Sequence, residues 1–329
     1  MQDTFGRPIT YLRVSVTDRC DFRCFYCMAE SMTFLPRKDL LSLEELDTVC
    51  STFIERGVKK LRLTGGEPLV RRGILGLIEK LGRHLDTGLL EELVMTTNGS
   101  QLAKYAHDLK RLGMKRINVS MDSLDPDKFA EITRRGDINQ VLDGLKAAQD
   151  ADLKVKINTV ALKNFNEDEL SDMVGWCGEQ GFDMTLIETM PLGDIGGDRT
   201  QQYLPLSDVR QKLEADWSLI PSTHSTGGPS KYLDVRETGQ KVGFITPLSD
   251  HFCDNCNRMR LTCTGTLYMC LGQDSSVDLR EAMRSCDPMG KLNGAIDQAL
   301  HLKPKGHEFV IEPGHGEPAV KRHMSVTGG

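Results

Sequence analysis

No run of apolar residues in the 329-residue chain is long enough to span a bilayer. The opening stretch MQDTFGRPIT likewise carries no apolar segment of the kind that directs secretion. These two absences set membrane insertion and export aside, and the cytosol is the expected location. A basic excess is missing too. The 41 Lys and Arg against 47 Asp and Glu leave a net charge of −6, which argues against nonspecific nucleic-acid binding as the main task. There is no internal repeat and no low-complexity segment. Nor does any His–carboxylate or Ser–His constellation stand out, so acid–base and acyl-transfer catalysis have no visible carrier. What remains is a globular chain, 39% hydrophobic and 27% charged, with enough residues for one large α/β domain or two smaller ones.

What the chain does have is ten cysteines. Disulfides are rare in the cytosol, and these cysteines are clustered, three near the start and four between 253 and 270. Clustered cytosolic cysteines point to metal.

The first 190 residues alternate between two periodicities. Strands are expected at 11–16, 59–64, 91–96, 115–120, 154–160 and 183–188, and helices at 43–57, 72–85, 101–112, 126–150 and 167–180. Ser42 with Glu45 resembles a capping box, and Gly57 and Gly113 sit where helices should stop. Strands alternating with helices imply a parallel sheet, whose ligands bind at the C-terminal strand ends. The unusual residues fall there: the cysteine loop, GGEP (65–68), TTNG (96–99), SMDS (120–123), NTV (158–160) and ETM (188–190). Six loops aimed at one rim suggest one active site. After about 190 the pattern breaks into segments rich in Gly, Pro and Ser at 191–200 and 221–230, which are expected as loops. A first region over 1–190 and a second over 191–329 are expected.

Cys20, Cys24 and Cys27 form C-x3-C-x2-C. A structural zinc site takes four protein ligands, and His107 is one distant candidate for the fourth. Three thiolates instead suit a [4Fe–4S] cluster with one iron left open. With Tyr26 before the third cysteine and GGEP following in order, the chain resembles the radical S-adenosylmethionine (SAM) enzymes. The resemblance implies a partial (βα)6 TIM-like barrel, with a C-terminal extension carrying a second cluster. It also implies that the open iron chelates SAM, which is cleaved to a 5′-deoxyadenosyl radical.

Cys253, Cys256 and Cys270 give C-x2-C-x13-C, and by spacing alone a zinc ribbon that includes Cys263 stays open. The stretches YLRVSVTDRCDFRCFYC, LRLTGGEP, TTNG, INVSMDSLD, KINTV, FCDNCNRMRLTCTGTLYMCL and the terminal GG narrow the resemblance to the GTP-cyclising family of molybdenum cofactor biosynthesis. That resemblance implies a second [4Fe–4S] cluster on Cys253, Cys256 and Cys270, touching the guanine. It implies GTP contacts at Arg13, Arg62, Thr96, Lys156, Arg258 and Arg260, and SAM contacts at Tyr26, Gly66, Ser120 and Met190. Cys20, Cys24, Cys27, Arg258 and Arg260 would carry the chemistry, and Gly328 and Gly329 would enter the active site.

An anionic nucleotide needs local positive charge in a chain of this net charge, and Arg forks suit phosphate. One departure is Thr185, where the family often has arginine; weaker affinity or compensation elsewhere is expected. Cys263 is expected as a small buried residue, Cys286 has no assigned role, and neither does the KPKGHEF stretch at 303–309. The implied partners are GTP, SAM, an electron donor such as flavodoxin or ferredoxin, cyclic pyranopterin monophosphate synthase as the next enzyme, and a second copy in a homodimer. Neither nucleic acid nor membrane is among them. Two rivals stay open: a peptide-modifying radical SAM enzyme and a non-enzymatic zinc-binding protein.

Overall fold

The computed structural model describes residues 1–194, 199–249, 252–307, 309 and 318–328. Its strands are β1 (Tyr11–Ser15), β2 (Lys60–Thr64), β3 (Glu92–Thr97), β4 (Arg116–Ser120), β5 (Lys154–Ala161), β6 (Asp183–Glu188), β7 (Leu219–Pro221), β8 (Lys231–Val235), β9 (Lys241–Ile245), β10 (Arg258–Leu261), β11 (Thr266–Tyr268) and β12 (Ser276–Asp278). The helices of the first region are α1 (Leu43–Glu55), α2 (Ile74–Asp86), α3 (Leu102–Arg111), α4 (Pro126–Thr133), α5 (Ile138–Asp150) and α6 (Leu170–Glu179). All six expected strands are present, within two residues of the expected limits.

One expected helix is two. The 126–150 pattern breaks at Arg134, which adopts a left-handed φ of 58°, and restarts at Asp137, whose carboxylate accepts from the Asn139 N–H as an N-cap. The capping box of Ser42 and Glu45 does start α1, and Gly57 and Gly113 stop their helices at positive φ, 105° and 95°.

The sheet runs β12-β11-β10-β1-β2-β3-β4-β5-β6-β9-β8-β7. The stretch from β10 through β1–β6 to β9 is parallel throughout, so the α/β wheel is two strands larger than the six expected. The second region supplies both of these added strands. It extends both edges, adding β10 beside β1 and β9 beside β6. The period-2 pattern could not show this, because β9 and β10 reach their parallel neighbours without the strand–helix spacing that announces a βαβ unit.

Alternation then divides the strand residues. Leu12, Val14, Leu61, Leu63, Leu93 and Met95 face the helices and join Leu46, Phe53, Leu77 and Leu109 in one apolar core. Tyr11, Arg13, Arg62, Thr96, Asn118 and Lys156 face the other way, into a cavity. No helix among the described residues is long and apolar enough to cross a membrane.

Candidate active site

The loop after β1 turns tightly at its cysteines: the N–H groups of Cys27 and Met28 both donate to the Cys24 carbonyl, at 2.9 and 3.1 Å. Cys20, Cys24 and Cys27 line the cavity together. Three buried or half-buried carboxylates tie this loop to neighbouring strand ends. Asp21 accepts from Asn98 Nδ2 (2.7 Å) and Ser100 Oγ (2.6 Å). Glu67 accepts from the N–H groups of Leu69 (2.9 Å) and Asn98 (2.7 Å) and from Thr97 Oγ1 (2.9 Å). Asp122 accepts from the Tyr26 hydroxyl (2.6 Å) and the Val160 N–H (2.8 Å). Burial raises Glu67 to about 7 and Asp122 to about 6, against the hydrogen bonds that favour their ionised forms. Burial, with Glu67 beside one and Asp122 beside the other, pushes the Cys20 and Cys24 thiols well up.

The glycines of GGEP allow a close backbone approach. The close approach is to the protein's own backbone. Gly66 N–H donates to the Thr17 carbonyl and Glu67 N–H to the Arg19 carbonyl, both at 2.8 Å. A methyl group on Gly66 would run into the Arg19 carbonyl, and one on Gly65 into that of Thr17. These glycines fasten the second strand end to the cysteine loop, and Gly66 still lines the cavity.

Cys253, Cys256 and Cys270 line the opposite wall. Burial pushes the Cys256 thiol up, but Arg258, Lys303, a backbone hydrogen bond and Arg7 together hold the group below the ordinary thiol value. Cys270 stays raised by burial. The two triplets therefore differ in setting, the first among carboxylates and the second among cations. Among the described residues, no three His, Cys, Asp or Glu side chains gather tightly enough for a single metal ion. A four-iron cube accepts thiolates spread around its corners. Two sets of three thiols, each facing a shared cavity, are donor sets that fit such cubes with an open iron. His107, the candidate fourth zinc ligand, is exposed on α3 and does not line the cavity.

Between the walls lies a strip of cations. The register sets Arg13 opposite Arg260 on one side and Arg62 on the other, with Tyr11 opposite Arg258 and Lys60 one step nearer the strand starts. Arg62 donates to Thr96 Oγ1 at 2.9 Å and to the Tyr11 hydroxyl. Lys156 donates to the Tyr232 hydroxyl at 2.8 Å. Among the described residues, no carboxylate lies within ion-pair distance of Arg62, Lys156, Arg258 or Arg260. Lys60 and Arg116, by contrast, share Glu92. Burial, then Arg62, depresses Lys156 far below the usual lysine value, and burial with Arg258 brings Arg260 to about 10. Burial pushes the Tyr11 phenol up, yet Arg62, Arg13 and Lys60 together draw it down to about 7. Buried like charges at this density call for an anionic ligand.

Ser120 and Met190 also line the cavity, so the two cysteine triplets and the residues named for SAM and GTP contact all meet there. Gly328 reaches it as well: Arg260 Nη1 donates to its carbonyl, and a methyl group on Gly328 would run into the Thr64 hydroxyl. Gly329 lies outside the described residues. Cys263 is buried away from the cavity, its thiol raised to about 12 by burial and Asp18, and Cys286 is exposed.

Thr185 is fully buried, and its hydroxyl has no partner among the described residues. It pairs with Gly243 on β9, over which the Tyr232 ring packs; a methyl group on Gly243 would lie 2.7 Å from that ring. Tyr232 thus occupies the space beside Lys156 and also meets Thr226 Oγ1 at 3.1 Å. Sequence reasoning missed Tyr232, and it placed Glu67 and Asp122 at the rim without giving either a role. The two carboxylates did carry a signal, an acid at the C-terminal end of a strand in GGEP and SMDS.

The Radical SAM superfamily profile matches residues 14–177, and that of Molybdenum Cofactor Synthesis C matches residues 182–309. A protein of Agrobacterium fabrum named GTP 3′,8-cyclase is 61% identical over 100% of this chain and 94% of its own. One of Mesorhizobium japonicum with the same name is 60% identical over 100% of this chain and 99% of its own. Among solved structures, SuiB of Streptococcus suis bound to S-adenosylmethionine superposes with a TM-score of 0.58 at 15% identity, over 97% of this chain and 77% of that one. Its peptide-bound form gives 0.59 at 16% identity, over 97% and 76%. At such identity these two share the fold.

Proposed function

The chain belongs to the GTP 3′,8-cyclase family of radical SAM enzymes, and from that membership we propose how its residues divide the work. It is a radical SAM cyclase acting in molybdenum cofactor biosynthesis, with SAM and an iron–sulfur cluster as cofactors. When bound, these would supply a 5′-deoxyadenosyl radical that takes the ribose 3′ hydrogen of GTP; C3′ would then bond to guanine C8, with one further electron and a proton completing the cyclic product. Cys20, Cys24 and Cys27 hold the cluster that serves SAM, and Cys253, Cys256 and Cys270 hold a second. Tyr26, Gly66, Ser120 and Met190 line the SAM side. Asp122 fixes the Tyr26 phenol, which keeps that ring in place beside Cys27.

The observation that carries the GTP reading is the strip of buried cations lining the cavity, where among the described residues Arg62, Lys156, Arg258 and Arg260 have no carboxylate within ion-pair distance. Arg13, Arg62, Lys156, Arg258 and Arg260 bind the nucleotide's anionic groups, and Thr96 holds Arg62 in line. The Gly328 carbonyl orients Arg260, and Gly329 extends the same tail. The work of these residues is to bring two carbons together and keep water out, so orientation outweighs acid–base catalysis. Residues 1–190 would form the SAM-binding part and 191–329 the part that completes the GTP site. An electron donor such as flavodoxin or ferredoxin, cyclic pyranopterin monophosphate synthase as the next enzyme, and a homodimer complete the proposal, with the cytoplasm as its setting.

The test is anaerobic reconstitution with iron and sulfide, followed by SAM, reductant and GTP deuterated at ribose 3′. Deuterium should appear in 5′-deoxyadenosine as GTP disappears. SAM cleavage with GTP intact would mean another substrate. Cys24→Ala should abolish SAM cleavage. Arg258→Ala and Arg260→Ala should each lower kcat/KM for GTP by about 10- to 100-fold, the scale of a lost hydrogen bond to a charged group, while SAM cleavage suffers less. Cyclisation by both variants at the parent rate would sink the assignment of these arginines.

A further inference from the structure

The second cysteine triplet is framed by three cations from the two extremities of the chain. Arg7, held by Asp3 at 2.7 Å, donates to the carbonyls of Cys253 (2.8 Å), Pro304 (2.6 Å) and Lys305 (2.6 Å). Arg322 donates to the carbonyls of Cys270 (3.2 Å) and Gln273 (2.8 Å) and pairs with Asp274. Lys303 is only 3% exposed, and its ammonium has three N–H groups and three acceptors: the Arg258 carbonyl at 2.9 Å, the Met269 carbonyl at 2.7 Å and Cys256 Sγ at 3.6 Å. Lys303 thereby ties the strand after Cys256 to the residue before Cys270. The chain then passes Cys253 at Gly306, where a side-chain carbon would stand 3.3 Å from the sulfur. The Lys-Pro-Lys-Gly segment is a strap lying along the triplet. Of the three cations, Lys303 is the one that donates to a sulfur, and among the described residues it has no carboxylate partner.

We propose that Lys303 is the positioning residue of the second cluster, giving an N–H···S bond and a fixed positive charge to the Cys256 sulfur and so favouring the cluster's reduced form. This rests on the reading that Cys253, Cys256 and Cys270 hold a cluster. Cluster potentials are set by net charge, burial and hydrogen bonds to sulfur. When one electron arrives from a low-potential reductant, no bond breaks; negative charge accumulates on the sulfurs, and an N–H···S donor interacts more strongly with it. At the first triplet, by contrast, Cys20 Sγ meets a neutral amide, Asn98 Nδ2 at 3.8 Å, and Asp21, Glu67 and Asp122 lie nearby. The chemistry needs both sites in defined electronic states, and a lysine that raises the second potential keeps the two apart.

The test uses the full chain with Cys20, Cys24 and Cys27 all changed to Ala, so that only the second triplet can hold a cluster. After anaerobic reconstitution, iron and sulfide are counted, and the reduced cluster is followed by electron paramagnetic resonance during a dithionite titration. Lys303→Met, of similar length and without charge, should move the midpoint to lower potential, by about tenfold in the reduction equilibrium, or about 59 mV for one electron. Lys303→Arg should stay near the parent. A Lys303→Met protein that titrates with the parent's midpoint overturns the proposal. Iron lost in Lys303→Met but kept in Lys303→Arg supports it, and iron lost in both overturns it, since the lysine's shape rather than its charge is then what matters. If the background chain with Lys303 intact binds no iron, the second-cluster reading fails, and the proposal with it.

Discussion

Glu67 and Asp122 sit within GGEP and SMDS without an assigned role in the chemistry, yet they tie the cysteine loop to its rim. Each is buried and accepts from groups on neighbouring strand ends. Burial keeps Glu67 protonated to about 7 instead of 4.5, and Asp122 to about 6 instead of 3.8. The folded chain therefore binds more protons than the unfolded one between those limits, and stability must fall as pH rises through them. Urea unfolding of the clusterless protein at pH 5 and pH 7 should show a lower midpoint at pH 7. In Glu67→Gln that difference should shrink. The variant should also be weaker at both pH values, by about 1–3 kcal/mol, because its amide faces a backbone N–H that needs an acceptor. An unchanged pH dependence would mean that Glu67 does not titrate in this window.

At the scale of elements, the loop after β2 and the cysteine loop form one unit. Gly66→Ala must push the Arg19 carbonyl away, and overpacking of this kind costs about 1–3 kcal/mol. Loss of SAM binding by about tenfold or more, read by calorimetry on the reconstituted enzyme, is expected, with the second triplet's iron retained. A Gly66→Ala enzyme that binds SAM normally would show that the two loops move independently. The same unit explains what could be read from the sequence. The strands β1–β6 and the rim loops were legible because period-2 runs and strand-end residues are local patterns. The break between α4 and α5 was hidden inside a pattern that resumes with the same period, and it needed Arg134 in a left-handed conformation. Tyr232 was not legible, because its role depends on Gly243 and Lys156 meeting across β8, β9 and β5, which is a matter of tertiary register. The placement of β9 and β10 on opposite edges of the sheet was hidden for the same reason.

At the scale of the molecule, the second triplet depends on both ends of the chain. Removing residues 318–329 takes away Arg322 and the Gly328 carbonyl that holds Arg260. Reconstituted protein so shortened should bind about half the parent's iron on a two-cluster count and still cleave SAM without turning over GTP. Full iron content would mean that Arg322 is dispensable to the Cys270 loop.

The pairing of β1 with β10 also sets an order of events at birth. Thr10 and Asn257 are hydrogen-bonded across a separation of 247 residues, and at about 5–20 residues per second a ribosome needs roughly 10–50 s to cover it. Until then the outer edge of β1 has no neighbour and the cavity lacks a wall. A nascent chain stalled before residue 253 should take up iron at the first cysteine loop alone, measurable on purified ribosome complexes. The nascent enzyme would thus pass through a stage when its SAM-side cysteines are most open both to an iron donor and to oxygen, and completion of the C-terminal region ends both exposures at once.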